Sequence, residues 1–93
     1  MLSLPPFDLS NVKKGDIDKE ILRLGIIAEL DAVSLYEQMA AATGNENIRV
    51  MLRDIAKEEK THVGEFQALL LKLDKEQVRE LVAGAKEVKE KTK

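Results

Sequence analysis

Three residues of this sequence combine the side-chain types and the spacing of candidate metal ligands: Glu29, Glu59 and His62. His62 is the one histidine among 93 residues, and Glu59 precedes it by three positions, which places both side chains on one face of a helix. Carboxylate oxygens and an imidazole nitrogen together suit divalent transition metals. Because glutamate is common in this sequence, the Glu-x-x-His spacing alone is a weak signal. The three residues form a metal site only if the helices bring them together.

All three residues interrupt apolar helix faces. Glu59 and His62 fall inside the apolar stripe of one predicted helix, and Glu29 falls in the middle of an apolar face of the helix before it. A carboxylate that faces a core is costly unless it is neutralised, hydrogen-bonded or bound to a cation. The stripe of the second helix comprises Ile48, Met51, Leu52, Ile55, Val63, Phe66, Leu69 and Leu70.

The turn between these helices sets the relative height of the three residues. Glu29 lies 15 residues before Gly44 and Glu59 lies 15 residues after it. In an antiparallel hairpin both glutamates therefore lie about 22 Å from the turn, with His62 one helical turn along the same face. We expect the three side chains to converge between the helices. The alternative is an ordinary buried pair of Glu59 and His62, with Glu29 reaching solvent at the rim.

The elements that position these residues are predicted to be helices, because no segment shows strand alternation. Apolar spacing and the absence of proline predict a helix over Ile17–Thr43, with Asp16 as its N-cap. Gly44 is expected to take the left-handed conformation that often ends a helix. Asn45 is expected to cap a second helix that runs from Glu46 to about Leu73.

The two ends of the chain differ from the hairpin. Asp74 and Gln77 resemble a capping box that begins a third helix, ending near Lys89, and the charged residues 87–93 are expected to fray. Residues 1–15 contain two adjacent prolines and no helical period, which predicts an extended arm. The predicted fold is therefore all-α, with an arm (1–15), an antiparallel hairpin carrying half a metal site (16–73) and a short helix with a charged tail (74–93).

The composition limits what such a chain can be. A domain of 93 residues buries only about 60% of the surface of its unfolded chain, and the absence of cysteine excludes disulfides, so a metal, a partner subunit or both are expected. The 17 acidic and 15 basic residues are scattered, which argues against nucleic acid as a partner. No segment has the character of a membrane span or signal peptide, so we expect a soluble, cytoplasmic protein.

The three candidate ligands are half of a known ligand set. Di-iron and di-manganese bundles use four helices that contribute four carboxylates and two imidazoles. Two copies of this hairpin, related by a two-fold axis, would supply that set and form a four-helix bundle. The four glutamates would then balance two divalent ions. Tyr36 lies two helical turns beyond Glu29, where its hydroxyl either assists the site or is an ordinary core hydroxyl.

Two stretches of the sequence resemble the encapsulated ferritins, which are short ferritin-like proteins associated with encapsulin nanocompartments. They are IIAELDAVSLYEQM (Ile26–Met39) and EEKTHVGEF (Glu58–Phe66), and the likeness extends from about Asp18 to Leu73. The resemblance implies a ferroxidase, which oxidises Fe²⁺ to Fe³⁺ at a di-iron centre shared by two subunits. It implies Glu29, Glu59 and His62 as ligands, with Tyr36 close by, and it allows other divalent metals to substitute for iron.

The same resemblance implies an assembly. Dimers of such proteins form an annular decamer, and iron oxidised by the ring is mineralised inside an encapsulin shell for storage and detoxification. A second apolar face of the first helix, with Leu24, Ile27 and Leu35, fits a contact between dimers; the alternative is that the N-terminal arm or the third helix covers it. Family members often have tryptophan where Leu35 stands. Many end in a Gly-Ser-Leu-containing targeting peptide, where this chain ends Lys89–Lys93, and in some the domain is fused ahead of the shell protein.

Two other functions remain open from the sequence. One is a non-catalytic helical oligomerisation module in which the metal only staples the dimer together. The other is a di-iron peroxidase of rubrerythrin type. The absence of cysteine argues against the second, because these 93 residues then lack a rubredoxin-like electron donor.

Overall fold

The computed structural model describes residues 9–93 as a chain of helices. Two short 3-10 turns, Leu9–Asn11 and Lys14–Asp16, lead into α1 (Ile17–Ala42), which is followed by α2 (Glu46–Leu73) and α3 (Lys75–Lys91). No strand occurs within the described range, which confirms the predicted all-α fold. None of the helices in this range combines the length and apolar character needed to cross a membrane.

The antiparallel hairpin of α1 and α2 carries a very small core. Among residues 9–93 the buried apolar side chains are those of Val33 and Ala40 on α1 and of Ala56 and Leu70 on α2. Large apolar residues of the α2 stripe stay about half exposed: Ile48 (49%), Met51 (56%) and Leu69 (51%). The hairpin alone therefore leaves part of its apolar surface unpacked, and exposed apolar surface of this kind is typical of interaction sites.

The turn after α1 is built differently from the prediction. Gly44 does not take the left-handed conformation, since no described residue has a positive φ. The helix ends instead at Ala42 because Thr43 is extended, with φ −74° and ψ 141°. Arg49 satisfies the exposed carbonyl groups: its Nε donates to the carbonyl of Ala40 at 3.1 Å and its Nη2 donates to that of Thr43. An arginine from α2 thus replaces the expected glycine cap.

The predicted helix starts have mixed outcomes. Asn45 is confirmed as the cap of α2, because its side-chain oxygen accepts a hydrogen bond from the backbone N–H of Ile48 at 3.2 Å. Asp16 occupies the N-cap position of α1, but its side chain makes no capping bond. The reason is its φ of −107° and ψ of −2°, which continue a 3-10 turn instead of the extended geometry of a capping residue. Its carboxylate lies 3.8 Å from the ammonium of Lys19.

Helix α3 begins as predicted and ends later. The side chain of Asp74 accepts a hydrogen bond from the backbone N–H of Gln77 at 3.0 Å, which confirms the cap. The helix continues to Lys91, two residues beyond the predicted end, and so includes most of the segment 87–93 that was expected to fray. Lys89 and Lys91 in the last turn interact favourably with the negative end of the helix dipole. The Nζ atom of Lys86 lies 3.8 Å from Oε1 of Glu90, one helical turn further along.

The molecule is open in shape. Its Cα radius of gyration is 16.5 Å, against about 12 Å for a compact chain of this length. Leu81, Val82 and Val88 of α3 are exposed.

The extended arm was predicted for residues 1–15, of which 1–8 lie outside the described residues. From residue 9 on, the chain forms the two 3-10 turns instead, because Val12 and Asp16 each donate a backbone hydrogen bond to the carbonyl three residues before it.

Candidate metal centre

Helices α1 and α2 bring the three predicted ligands together. The Nδ1 atom of His62 lies 3.3 Å from Oε2 of Glu29 on α1 and 3.4 Å from Oε2 of Glu59 on its own helix. One ligand atom from each residue lies within 4.8 Å of the others. Glu29 meets His62 and Glu59 because Glu29 and Glu59 lie at equal distances along the chain from the turn at Gly44. The alternative in which Glu29 turns away from His62 is therefore not the arrangement observed.

The burial of this cluster is graded. The side chains of Glu29 and Glu59 are 21% and 19% exposed, whereas that of His62 is 47% exposed. Within residues 9–93 no lysine or arginine forms an ion pair with either glutamate; Lys60, beside Glu59 in sequence, pairs instead with Glu37 at 3.0 Å. Among these residues, the basic group that lies beside the two partly buried carboxylates is thus the imidazole of His62. A divalent cation would balance them, and the mixed oxygen and nitrogen donors fit first-row metals.

An open cavity of about 280 Å³ adjoins the cluster. It is lined by Glu29, His62, Glu65, Phe66 and Leu69. Its lining combines three polar or charged side chains with two large apolar ones, those of Phe66 and Leu69. The cavity and the half-exposed side chain of His62 leave this side of the cluster open to solvent.

Tyr36 was predicted to lie near the ligands, two helical turns along α1. It is partly buried and belongs to the same helix as Glu29, but it is not one of the three residues whose ligand atoms converge. Its role at the site stays a prediction.

One packing feature beside the cluster was not predicted. Gly25, four residues before Glu29, lies directly against the ring of Phe66, four residues after His62. The signal in the sequence was an isolated glycine inside a helical pattern, which often has a packing reason.

A second charged cluster joins the far end of α1 to the corner between α2 and α3. Arg23 donates from Nη1 to Glu20 at 2.6 Å and from Nη2 to Asp74 at 2.8 Å. The hydrogen bond to Glu20 is the main cause that raises the pKa of Arg23, and Asp74 adds to it. The pKa of the Asp74 carboxyl lies below its ordinary 3.8, chiefly because of the Gln77 backbone N–H and further because of Arg23.

The fold and the donor set together define a ferritin-like helical domain, and comparison with known proteins agrees. Residues 20–93 match the family model of rubrerythrin. The crystal structure of the encapsulated ferritin domain from Pyrococcus furiosus superposes with a TM-score of 0.85 and 55% sequence identity, covering 99% of this chain and 96% of that one. The chain therefore belongs to the rubrerythrin family and, within it, to the encapsulated ferritins.

Two curated relatives are named for an association with encapsulin. The chain is 57% identical, over 94 residues, to a ferritin-like-encapsulin shell fusion protein of Pyrococcus furiosus, covering 99% of this chain and 27% of that protein. It is 43% identical, over 70 residues, to the encapsulin nanocompartment cargo protein EncC of Myxococcus xanthus, covering 75% of this chain and 51% of the relative. The chain thus spans between a quarter and about half of the length of these relatives.

Proposed function

We propose that this chain is a ferroxidase whose substrate Fe²⁺ binds to Glu29, Glu59 and His62 at an interface between two copies of the chain. The observation that carries the proposal is the convergence of the three donors within 4.8 Å of one another. No arginine or lysine in the described part of the chain neutralises the two carboxylates. The cluster is therefore better suited to a bound cation than to a purely structural ion pair.

The need for a second copy follows from the number of donors. Each chain offers three ligand residues, whereas a di-iron centre in a helical bundle uses four carboxylates and two imidazoles. Two chains joined through the half-exposed His62 would supply that number. The same contact would cover the exposed apolar residues of the α2 stripe. It would also enlarge a core that is very small in the single chain.

The chemistry assigned to these residues is binding and charge compensation. Four glutamates from two chains balance two Fe²⁺ ions, and carboxylates accommodate the harder Fe³⁺ product equally well. Two Fe²⁺ ions together supply two electrons, the number that converts dioxygen and two protons into hydrogen peroxide. Tyr36 is proposed to stand close enough to hydrogen-bond a ligand carboxylate or to lend an electron during oxidation.

The destination of the oxidised iron is proposed from the relatives. One relative is named as a fusion to an encapsulin shell and two others are named as encapsulin nanocompartment cargo proteins. We therefore propose that this chain works inside an encapsulin shell. We further propose, from the resemblance to the encapsulated ferritins, that its dimers assemble into an annular decamer, from which Fe³⁺ leaves and is mineralised for storage and detoxification.

The test is the rate of Fe²⁺ oxidation, followed by the ferric absorbance under stopped flow. We expect alanine at Glu29, Glu59 or His62 to slow the initial rate by at least about 100-fold, because even residues that only support a metal ligand are worth 10–100-fold. Glu58→Ala is the matched control: Glu58 precedes Glu59, is exposed and lies outside the cluster, so its replacement should leave the rate unchanged. Undiminished oxidation in all three ligand variants would refute the proposal.

The rubrerythrin match favours a second candidate function, a peroxidase that uses the electrons of two Fe²⁺ ions to reduce hydrogen peroxide to water. The choice of oxidant separates the two candidates. A ferroxidase consumes dioxygen when Fe²⁺ is added to the metal-free protein. A peroxidase oxidises the bound Fe²⁺ much faster with hydrogen peroxide than with dioxygen. A module that is only stapled by metal binds Fe²⁺ and shows turnover with neither oxidant.

A further inference from the structure

One glycine of the chain lies in a much tighter contact than the others. A Cβ atom placed on Gly25 would lie 3.2 Å from three ring carbons of Phe66, namely Cδ1, Cδ2 and Cε1. At Gly15, Gly44, Gly64 and Gly84 a Cβ would meet nothing within 4 Å. The equal distances to three ring carbons place the face of the Phe66 ring against the α1 backbone.

Backbone conformation does not require this glycine. Gly25 lies in the interior of α1 and has no positive φ, so alanine would fit its dihedral angles. Glycine in a helix interior costs about 1 kcal/mol relative to alanine. The observation that accounts for glycine here is therefore the space that Phe66 occupies.

The contact lies in the layer next to the candidate metal centre. Gly25 is one helical turn before Glu29 on α1, and Phe66 is one helical turn after His62 on α2. Phe66 also lines the same cavity as Glu29 and His62. The two helices are thus held against each other one turn away from the point where Glu29 and His62 meet at 3.3 Å.

We propose that Gly25 and Phe66 are positioning residues for the metal centre. The Phe66 ring packs on the α1 backbone at Gly25, and this contact sets the separation of α1 and α2 at which Glu29, Glu59 and His62 bind one ion. The inference rests on the proposed function for the identity of the ligands. A separation of 3.2 Å is shorter than an ordinary van der Waals contact, so either the Phe66 ring or the α1 backbone has to move by a few tenths of an ångström. A Cβ at Gly25 therefore shifts Glu29 relative to His62, although neither Gly25 nor Phe66 touches the metal.

Gly25→Ala tests this inference, with Gly84→Ala as the matched control. Both substitutions replace a helical glycine by alanine and gain the same helix propensity, but only the first meets a neighbour. Anaerobic calorimetric titration with Co²⁺ is expected to show about 10-fold weaker binding for Gly25→Ala, with an altered visible Co²⁺ spectrum. Gly84→Ala is expected to match the wild-type chain in both measurements.

Rescue separates positioning from a general loss of packing. In the double variant Gly25→Ala with Phe66→Leu, the ring carbons that clash with the new Cβ are gone. We expect its Co²⁺ affinity and spectrum to move back toward those of the wild-type chain, a non-additive result typical of residues in contact. Phe66→Leu alone removes the ring that spaces the helices. It is expected to weaken Co²⁺ binding several-fold, which also tests the inference should Gly25→Ala fail to fold.

Two results would overturn the inference. Either Gly25→Ala and Phe66→Leu both bind Co²⁺ with the affinity and spectrum of the Gly84→Ala control, or the double variant is no better than Gly25→Ala. Failure of the proposed function is distinguished by Glu59→Gln. If that variant binds Co²⁺ as tightly as the wild-type chain, the ligand assignment itself is wrong. If Co²⁺ binds through Glu59 but Fe²⁺ is not oxidised, the positioning role stands without the activity.

Discussion

Two charged clusters tie α1 to the rest of the molecule, and each contains two carboxylates and one basic residue. Near the corner of α2 and α3, Arg23 bridges Glu20 and Asp74 at 2.6 and 2.8 Å. Between the long helices, His62 lies 3.3 and 3.4 Å from two glutamates. The two clusters have the same number of acidic groups, but they differ in the charge and hydrogen bonds that compensate those groups.

The corner cluster is complete within one chain. The guanidinium of Arg23 is always charged and reaches both carboxylates, and Asp74 also caps α3 through Gln77. The His62 cluster has longer contacts and an imidazole whose charge depends on its protonation, and nothing else in the described residues compensates its two glutamates. The difference indicates that the first cluster stabilises the fold, while the second one leaves two carboxylates that the proposed metal ion would compensate.

The largest effect is expected where this imbalance is removed. In the metal-free protein, Glu59→Gln should raise the free energy of unfolding by on the order of 1 kcal/mol, because one of two neighbouring carboxylates becomes neutral. That corresponds to a rise in Tm of about 4–8 °C. Fe²⁺ under anaerobic conditions, at about 100 times Kd, should stabilise the wild-type chain by about 2.7 kcal/mol and leave Glu59→Gln unaffected.

The control is Glu58→Gln, the same substitution at the neighbouring position of α2, outside the cluster. It should change the metal-free Tm little and retain the response to Fe²⁺. A lower metal-free Tm in Glu59→Gln than in Glu58→Gln would show that the His62 cluster is a structural ion pair, like the corner.

A smaller effect of opposite sign is expected at the corner. Asparagine caps helices as well as aspartate, so Asp74→Asn keeps the cap of α3 and removes only the charge that pairs with Arg23. We expect its Tm at neutral pH to fall by roughly 2–4 °C, because partly exposed ion pairs contribute little. Its response to Fe²⁺ should be unchanged, since Asp74 belongs to the other cluster.

This corner effect should also depend on acid. The pKa of Asp74 is lowered in the folded chain, so its contribution to stability is fully present above 3.8 and is lost as the pH falls through the lower folded value. Thermal unfolding followed by circular dichroism should show the difference between wild type and Asp74→Asn narrowing below pH 3.8. A difference that persists unchanged in strong acid would mean that the charge of Asp74 is not what stabilises the corner.

The convergence of the three candidate ligands could be predicted from the sequence alone, for a physical reason. Glu29 and Glu59 are equally distant from Gly44, and two straight helices joined by a short turn place equally distant residues side by side. His62 then follows from the helical period. Local signals of the same kind predicted the caps at Asn45 and Asp74.

What could not be predicted depends on contacts between distant parts of the chain. Arg49 reaches back to the carbonyl groups at the end of α1, so Gly44 need not take the left-handed conformation. Arg23 and Asp74 are 51 residues apart, and no local pattern indicates their pairing. The contact of Gly25 with Phe66 requires the side-by-side packing of both helices, which the periodicity of each helix alone does not specify.

Anomalous diffraction at the iron edge, from crystals loaded anaerobically with Fe²⁺, tests directly whether two chains share the metal centre. We expect a pair of iron peaks about 3.5–4 Å apart, as in two-metal centres, each beside Glu29, Glu59 and His62 and with ligands from two chains. Iron bound elsewhere, or bound by the three residues of one chain with no second chain in contact, would contradict it.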